Sequence, residues 1–196
     1  ARLPFGPSAV AWEITNRCDC RCAYCNTRTL RARDPEPSRE TVLSIARGIG
    51  EAGVRAVTIS GGEPLLSPHL APAIESLVAH RVRVSVSTNG NRLSDRARQL
   101  ARLGVESVTI SIDSDAPAVH DRVKGSPGLH AAIERAIAVM ASSPETRRMA
   151  VRVRIPLTPL NFAARRTTAK SSSRSKRSPP TSPNGSGAVR PIRARS

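Results

Sequence analysis

Four cysteines stand within eight residues, Cys18, Cys20, Cys22 and Cys25, and the 196-residue chain has no others. Neighbours this close do not staple distant parts of a fold, and outside an oxidising compartment such a cluster points to metal. Two readings fit. Cys18, Cys22 and Cys25 follow C-x3-C-x2-C, and three thiolates from one loop hold three corners of an iron–sulfur cube. The fourth iron is then left without a protein ligand. That is a defect in an electron carrier, where four cysteines are usual, and an asset where a small molecule must reach the metal. In the other reading all four cysteines bind one zinc ion. Cys20 must then be a ligand across one-residue spacers, which is cramped for a tetrahedral site.

Further segments carry residue types suited to a polar ligand. Ser60-Gly61-Gly62-Glu63-Pro64 puts two glycines, which permit close backbone approach, before a carboxylate able to receive an ammonium group. Ser87-Thr88-Asn89-Gly90 holds an Asn-Gly turn signal. Ser111-Ile112-Asp113-Ser114 and His120-Asp121-Arg122-Val123-Lys124-Gly125 follow further on.

Taken with the cysteines, these segments resemble the radical S-adenosylmethionine (radical SAM) enzymes. Their signature is C-x3-C-x2-C with an aromatic residue before the last cysteine, the place of Tyr24. The other segments resemble the family's GGEP, TNG and S-[IL]-D motifs. The last resembles the H-D-x-x-R-G stretch of its maturases, with Lys124 where Arg is usual, and reads as a structural loop. The resemblance implies a 4Fe–4S cluster on Cys18, Cys22 and Cys25, with Cys20 not a ligand. It implies S-adenosylmethionine held by Tyr24 near the adenine, by Gly61, Gly62, Glu63 and Pro64 at the methionine amino group, and by Thr88, Asn89 and Ser111. The implied activity is one-electron reductive cleavage to a 5′-deoxyadenosyl radical, which takes a hydrogen atom from a substrate the sequence does not specify. A reductant of the flavodoxin or ferredoxin type is implied as partner. The competing class is a non-enzymatic zinc module with a basic tail that contacts nucleic acid; it gives the other motifs no role.

These residues need elements to position them. Period-2 alternation predicts strands at 10–15, 56–60, 82–87, 107–112 and 151–155. Helix punctuation predicts helices from Ser38 to about Ala52, from Ser67-Pro68 to about His80, over Asp95–Leu103 behind a Ser94 cap, and from Ser126-Pro127 through Met140. Alternation of this kind implies parallel strands with crossover helices. Small polar residues at alternate strand positions favour a barrel interior over a sheet that is apolar on both faces. The expected fold is a partial parallel (β/α) barrel with five of the family's six units, spanning residues 8–160. All the motifs fall at carboxyl ends of strands, where parallel α/β folds build their sites. Trp12 reads as packing, and His69, His80 and His130 as surface groups.

Hydrophobic residues at 39% and charged residues at 23% suit one soluble domain with a core. The net charge is +16, but residues 161–196 hold nine Lys and Arg and no acid. That segment is Ser, Arg and Pro with little that is apolar, and reads as a disordered or out-of-frame end to a truncated core. No apolar run reaches the ~18–20 residues of a membrane span, and the first residues lack a secretory pattern, so the expected location is cytoplasmic.

Overall fold

A computed structural model describes residues 7–25 and 35–159; the expectations for 161–196 lie outside the described residues. Among the described residues five strands form one parallel sheet: β1 (Ala9–Thr15), β2 (Ala56–Gly61), β3 (Arg83–Thr88), β4 (Ser107–Ser111) and β5 (Ala150–Arg154). Their order in the sheet is their order in the chain. The helices are α1 (Arg39–Glu51), α2 (Leu70–Ala79), α3 (Leu93–Arg102), α4 (Pro117–Lys124) and α5 (Leu129–Ser142). No helix among the described residues is long and apolar enough to cross a membrane.

The two faces of the sheet differ because side chains alternate along a strand. Ile14, Val57, Ile59, Val84, Val86, Val108 and Ile110 are buried against the helices. Each such side chain contributes about 1.5–3 kcal/mol of burial. The intervening Thr58, Ser60, Ser85, Ser87, Thr109 and Ser111 are half-buried on the other face, the polar lining expected of a barrel interior. Ser85 and Ser107 share a hydrogen bond across β3 and β4 at 2.8 Å. At the far edge every residue of β5 is exposed.

The strands lie within a residue or so of their expected places. Ser38 caps α1 by accepting the Thr41 amide at 3.2 Å. Three helix starts differ from expectation, that of α5 by beginning at Leu129 behind Gly128 rather than at Ser126-Pro127. Pro64–Leu66 forms a 3₁₀ turn and α2 begins only at Leu70; α3 begins at Leu93, with Ser94 inside it rather than capping it. The segment read as a structural loop is largely helix α4. Its buried side chains are His120, Val123 and Lys124, so no apolar periodicity announces it; Pro117 at its start and Gly125 at its left-handed stop were the available signals. Trp12 is buried in the core, as expected of packing. His130, expected at the surface, is mostly covered, its side chain only 15% exposed, and packs edge-on against buried His120.

Candidate functional site

A cavity of about 340 Å³ opens at the carboxyl ends of the strands, lined by residues of the cysteine loop and of β2, β3 and β4. All four cysteines reach its wall, and none forms a disulfide. The loop turns tightly at its end, where the Cys25 amide donates to the Cys22 carbonyl at 3.2 Å. Burial pushes the Cys22 thiol up, and the Lys124 charge opposes this. A hydrogen bond with Cys18, together with burial, pushes the Cys20 thiol well up. Among the described residues no three His, Cys, Asp or Glu side chains gather as a single-ion site.

The root of the loop is held from two sides. Glu36 accepts the Thr15 hydroxyl at 2.6 Å and the amides of Asn16 and Arg17 at 3.0 and 3.1 Å. From β2, the Gly62 amide donates to the Thr15 carbonyl at 2.8 Å and the Glu63 amide to the Arg17 carbonyl at 2.7 Å. The two glycines make this crossing possible. A Cβ on Gly61 would lie 2.5 Å from the Thr15 carbonyl oxygen, and one on Gly62 would lie 2.1 Å from that of Arg17. Gly61 also has φ +119°, a conformation L side chains rarely adopt.

Glu63 is fully buried and is not on the cavity wall. Its carboxyl accepts the Thr88 hydroxyl at 2.7 Å, the Asn89 amide at 2.7 Å and the Leu65 amide at 3.1 Å. It is a strut between the exits of β2 and β3. Desolvation pushes its pKa up to about 7 against the pull of those three bonds. Pro64, also buried, opens the turn behind it. Thr88 and Asn89 do reach the cavity. The Asn89 side-chain amide donates to Asp19 Oδ1 at 2.7 Å and to Cys20 Sγ at 3.1 Å, and Asn91 Nδ2 reaches Asp19 Oδ2 at 2.8 Å.

The opposite wall is built around Lys124. Its ammonium donates to Ser111 Oγ at 2.8 Å and to the Tyr24 hydroxyl at 2.9 Å, and lies 3.4 Å from Asp113 Oδ2. The Tyr24 hydroxyl donates in turn to the Asp113 carboxylate at 3.0 Å. The Lys124 and Asp113 side chains are 3% and 0% exposed. Burial alone would lower the Lys124 pKa, but the Tyr24 bond and the Asp113 charge outweigh it and hold the ammonium above the usual lysine range. The Asp113 amide donates to His120 Nδ1 at 3.1 Å, and burial lowers the His120 pKa, consistent with a neutral acceptor.

The sequence-predicted residues are thus brought to one place, apart from Glu63 and Pro64, which stand just behind the wall. Sequence reading missed Lys124, Asp19, Asn91 and Glu36 as parts of the site. Only Lys124 carried a signal, its place in a motif-like stretch.

Comparisons with known proteins bear on this geometry. Residues 12–150 match the family model described as the radical SAM superfamily. A probable GTP 3′,8-cyclase of Thermococcus kodakarensis is 30% identical over 123 residues, which cover 62% of this chain and 40% of that protein. The corresponding protein of Methanocella arvoryzae is 37% identical over 107 residues, covering 55% and 34%. The chain therefore spans less than half the length of these curated relatives. Among solved structures, Streptococcus suis SuiB bound to its precursor peptide SuiA is similar with TM-score 0.61 at 16% identity, covering 87% of this chain and 38% of that one. The structure of anSMEcpe with bound AdoMet gives 0.57 at 20%, covering 74% and 42%; at these identities the likeness is one of fold. The family match runs from β1 to the first residue of β5, taking in the strands and loops that wall the cavity, and on that ground the chain belongs to the radical SAM superfamily, whose cofactors are a 4Fe–4S cluster and S-adenosylmethionine.

Proposed function

We propose that residues 8–160 are the cofactor-binding core of a radical SAM enzyme, with Cys18, Cys22 and Cys25 as the cluster ligands. The observation that carries this reading is the placement of these three cysteines on one wall of a cavity at the carboxyl ends of parallel strands. When bound, the cluster and S-adenosylmethionine supply a one-electron reductive cleavage whose product radical removes a hydrogen atom from a substrate. The chain's own part is to bind and orient. Gly61 and Gly62 keep the β2 exit against the loop root, and Glu63 fixes Thr88 and Asn89. Ser111 and Lys124 line the wall there, the ammonium bonded to the Ser111 hydroxyl and paired with Asp113. Tyr24 closes the wall beside them.

The electron comes from a small carrier of the flavodoxin or ferredoxin type. Cysteines without disulfides suit a reducing compartment, and the proposed location is the cytoplasm. The curated relatives are named for GTP, which makes a purine nucleotide the first substrate to try.

The test is anaerobic reconstitution with iron and sulfide, then dithionite and S-adenosylmethionine, assaying 5′-deoxyadenosine. Product that disappears in Cys22→Ala is the expected result. A chain that takes up no iron–sulfur cluster overturns the reading.

A further inference from the structure

We propose that the C-terminal turn of α4 is a preformed dock for the cysteine loop, with Lys124 as its central group and Gly125 as its clearance. The role assigned to the loop rests on the cluster-binding reading above; the dock itself does not.

Helix C-termini leave carbonyls without intrahelical partners. Here two of them are taken by the loop: the Arg21 amide donates to the Lys124 carbonyl at 2.9 Å, and the Ala23 amide to the Val123 carbonyl at 2.9 Å. These two amides alternate with Cys22, so the thiol's own residue is held on both sides. The approach is close because Gly125 ends the helix in the left-handed conformation, at φ +58°. A Cβ there would lie 2.7 Å from the Arg21 carbonyl oxygen.

The side chains repeat the connection. Tyr24, between Cys22 and Cys25, is tied through its hydroxyl to Lys124 and Asp113. A buried ion pair is a poor way to gain stability, since desolvation opposes its attraction. This one sits at the joint between the loop and α4. Its geometry fixes where the loop lies, and Lys124 and Tyr24 are positioning residues in that sense. A metal loop without such a dock is ordered only when the metal arrives.

The experiment is amide hydrogen exchange on the full, metal-free chain. In the wild type the Arg21 and Ala23 amides are expected to exchange slowly. Gly125→Ala and Lys124→Met should each speed those two amides by about tenfold or more while the amides of β2 and β3 stay protected. Lys124→Arg, which restores the charge and its donors, should recover most of the protection. Tyr24→Phe, which removes one hydroxyl and is the variant least able to unfold the chain, should speed Ala23 by a smaller factor. Rapid exchange of Arg21 and Ala23 in the wild type overturns the dock, as does protection unchanged in Tyr24→Phe and Lys124→Met. Iron and sulfide bound per chain, measured on the same variants, should fall in Lys124→Met and recover in Lys124→Arg. Slow wild-type exchange with no cluster uptake by any variant leaves the dock standing and removes the enzyme reading instead.

Discussion

The two ends of the sheet make opposite use of charge. At the amino ends of the strands lies the larger hollow, about 770 Å³, bordered by Arg81, Glu106, Glu145 and Met149 among others. Nearby ions pair loosely on the surface: Arg83 with Glu106 at 3.9 Å and Arg102 with Glu145 at 3.7 Å, every side chain more than 40% exposed. At the carboxyl ends the hollow has about half that volume, yet its surroundings include Glu63, Asp113 and Lys124, all buried and each bonded to a different segment. Volume therefore does not mark the site. Buried charge held in place across elements does, and it lies where a parallel sheet points its loops.

Three substitutions test that contrast, in falling order of expected effect. Glu63→Ala removes the shared partner of the Thr88 hydroxyl and of the Leu65 and Asn89 amides in a dry place. The expected loss is about 2–4 kcal/mol, read from the urea midpoint; a loss under about 0.5 kcal/mol would show that the strut carries no load.

Next comes pH. The Glu63 pKa is raised from 4.5 to about 7 in the folded chain, so folding favours its protonated form. The stability contributed by that form is fully present below 4.5 and is lost as pH rises through about 7. The change is at most about 3 kcal/mol. Between pH 5 and pH 8 the wild type should lose more stability than Glu63→Gln, which cannot titrate. Parallel curves for the two proteins would contradict this.

The smallest effect belongs to the other end. Arg102→Ala should shift stability by no more than about 0.5 kcal/mol, as exposed pairs usually do, and should leave cluster loading unaltered. A loss of loading would erase the distinction between the two ends.

Much of this was legible in the sequence, for local reasons. Alternation along Val84–Thr88 or Val108–Ser111 is a property of the strand itself, so strands and their carboxyl ends could be located, and the motifs with them. What escaped notice depends on distant partners. Asp19 matters because Asn89 and Asn91 bond to it, and no pattern around Asp19 records that. Lys124 hides twice, in a helix whose buried face is largely polar and in a contact with a tyrosine far off in sequence. The sequence marks Gly61 and Gly62 as places where backbone can come close, and in the fold the exit of β1 lies against them.

Strand order equal to chain order has a consequence for synthesis. Each strand pairs with the one made before it, so the sheet can be laid down in sequence as the chain emerges. The cysteine loop breaks that rule, because its bond from Tyr24 to Lys124 joins residues 100 apart. It is made well before the segment that seats it. A nascent chain that has not yet reached α4 has the cysteine loop but not the partners of its Arg21 and Ala23 amides and its Tyr24 hydroxyl.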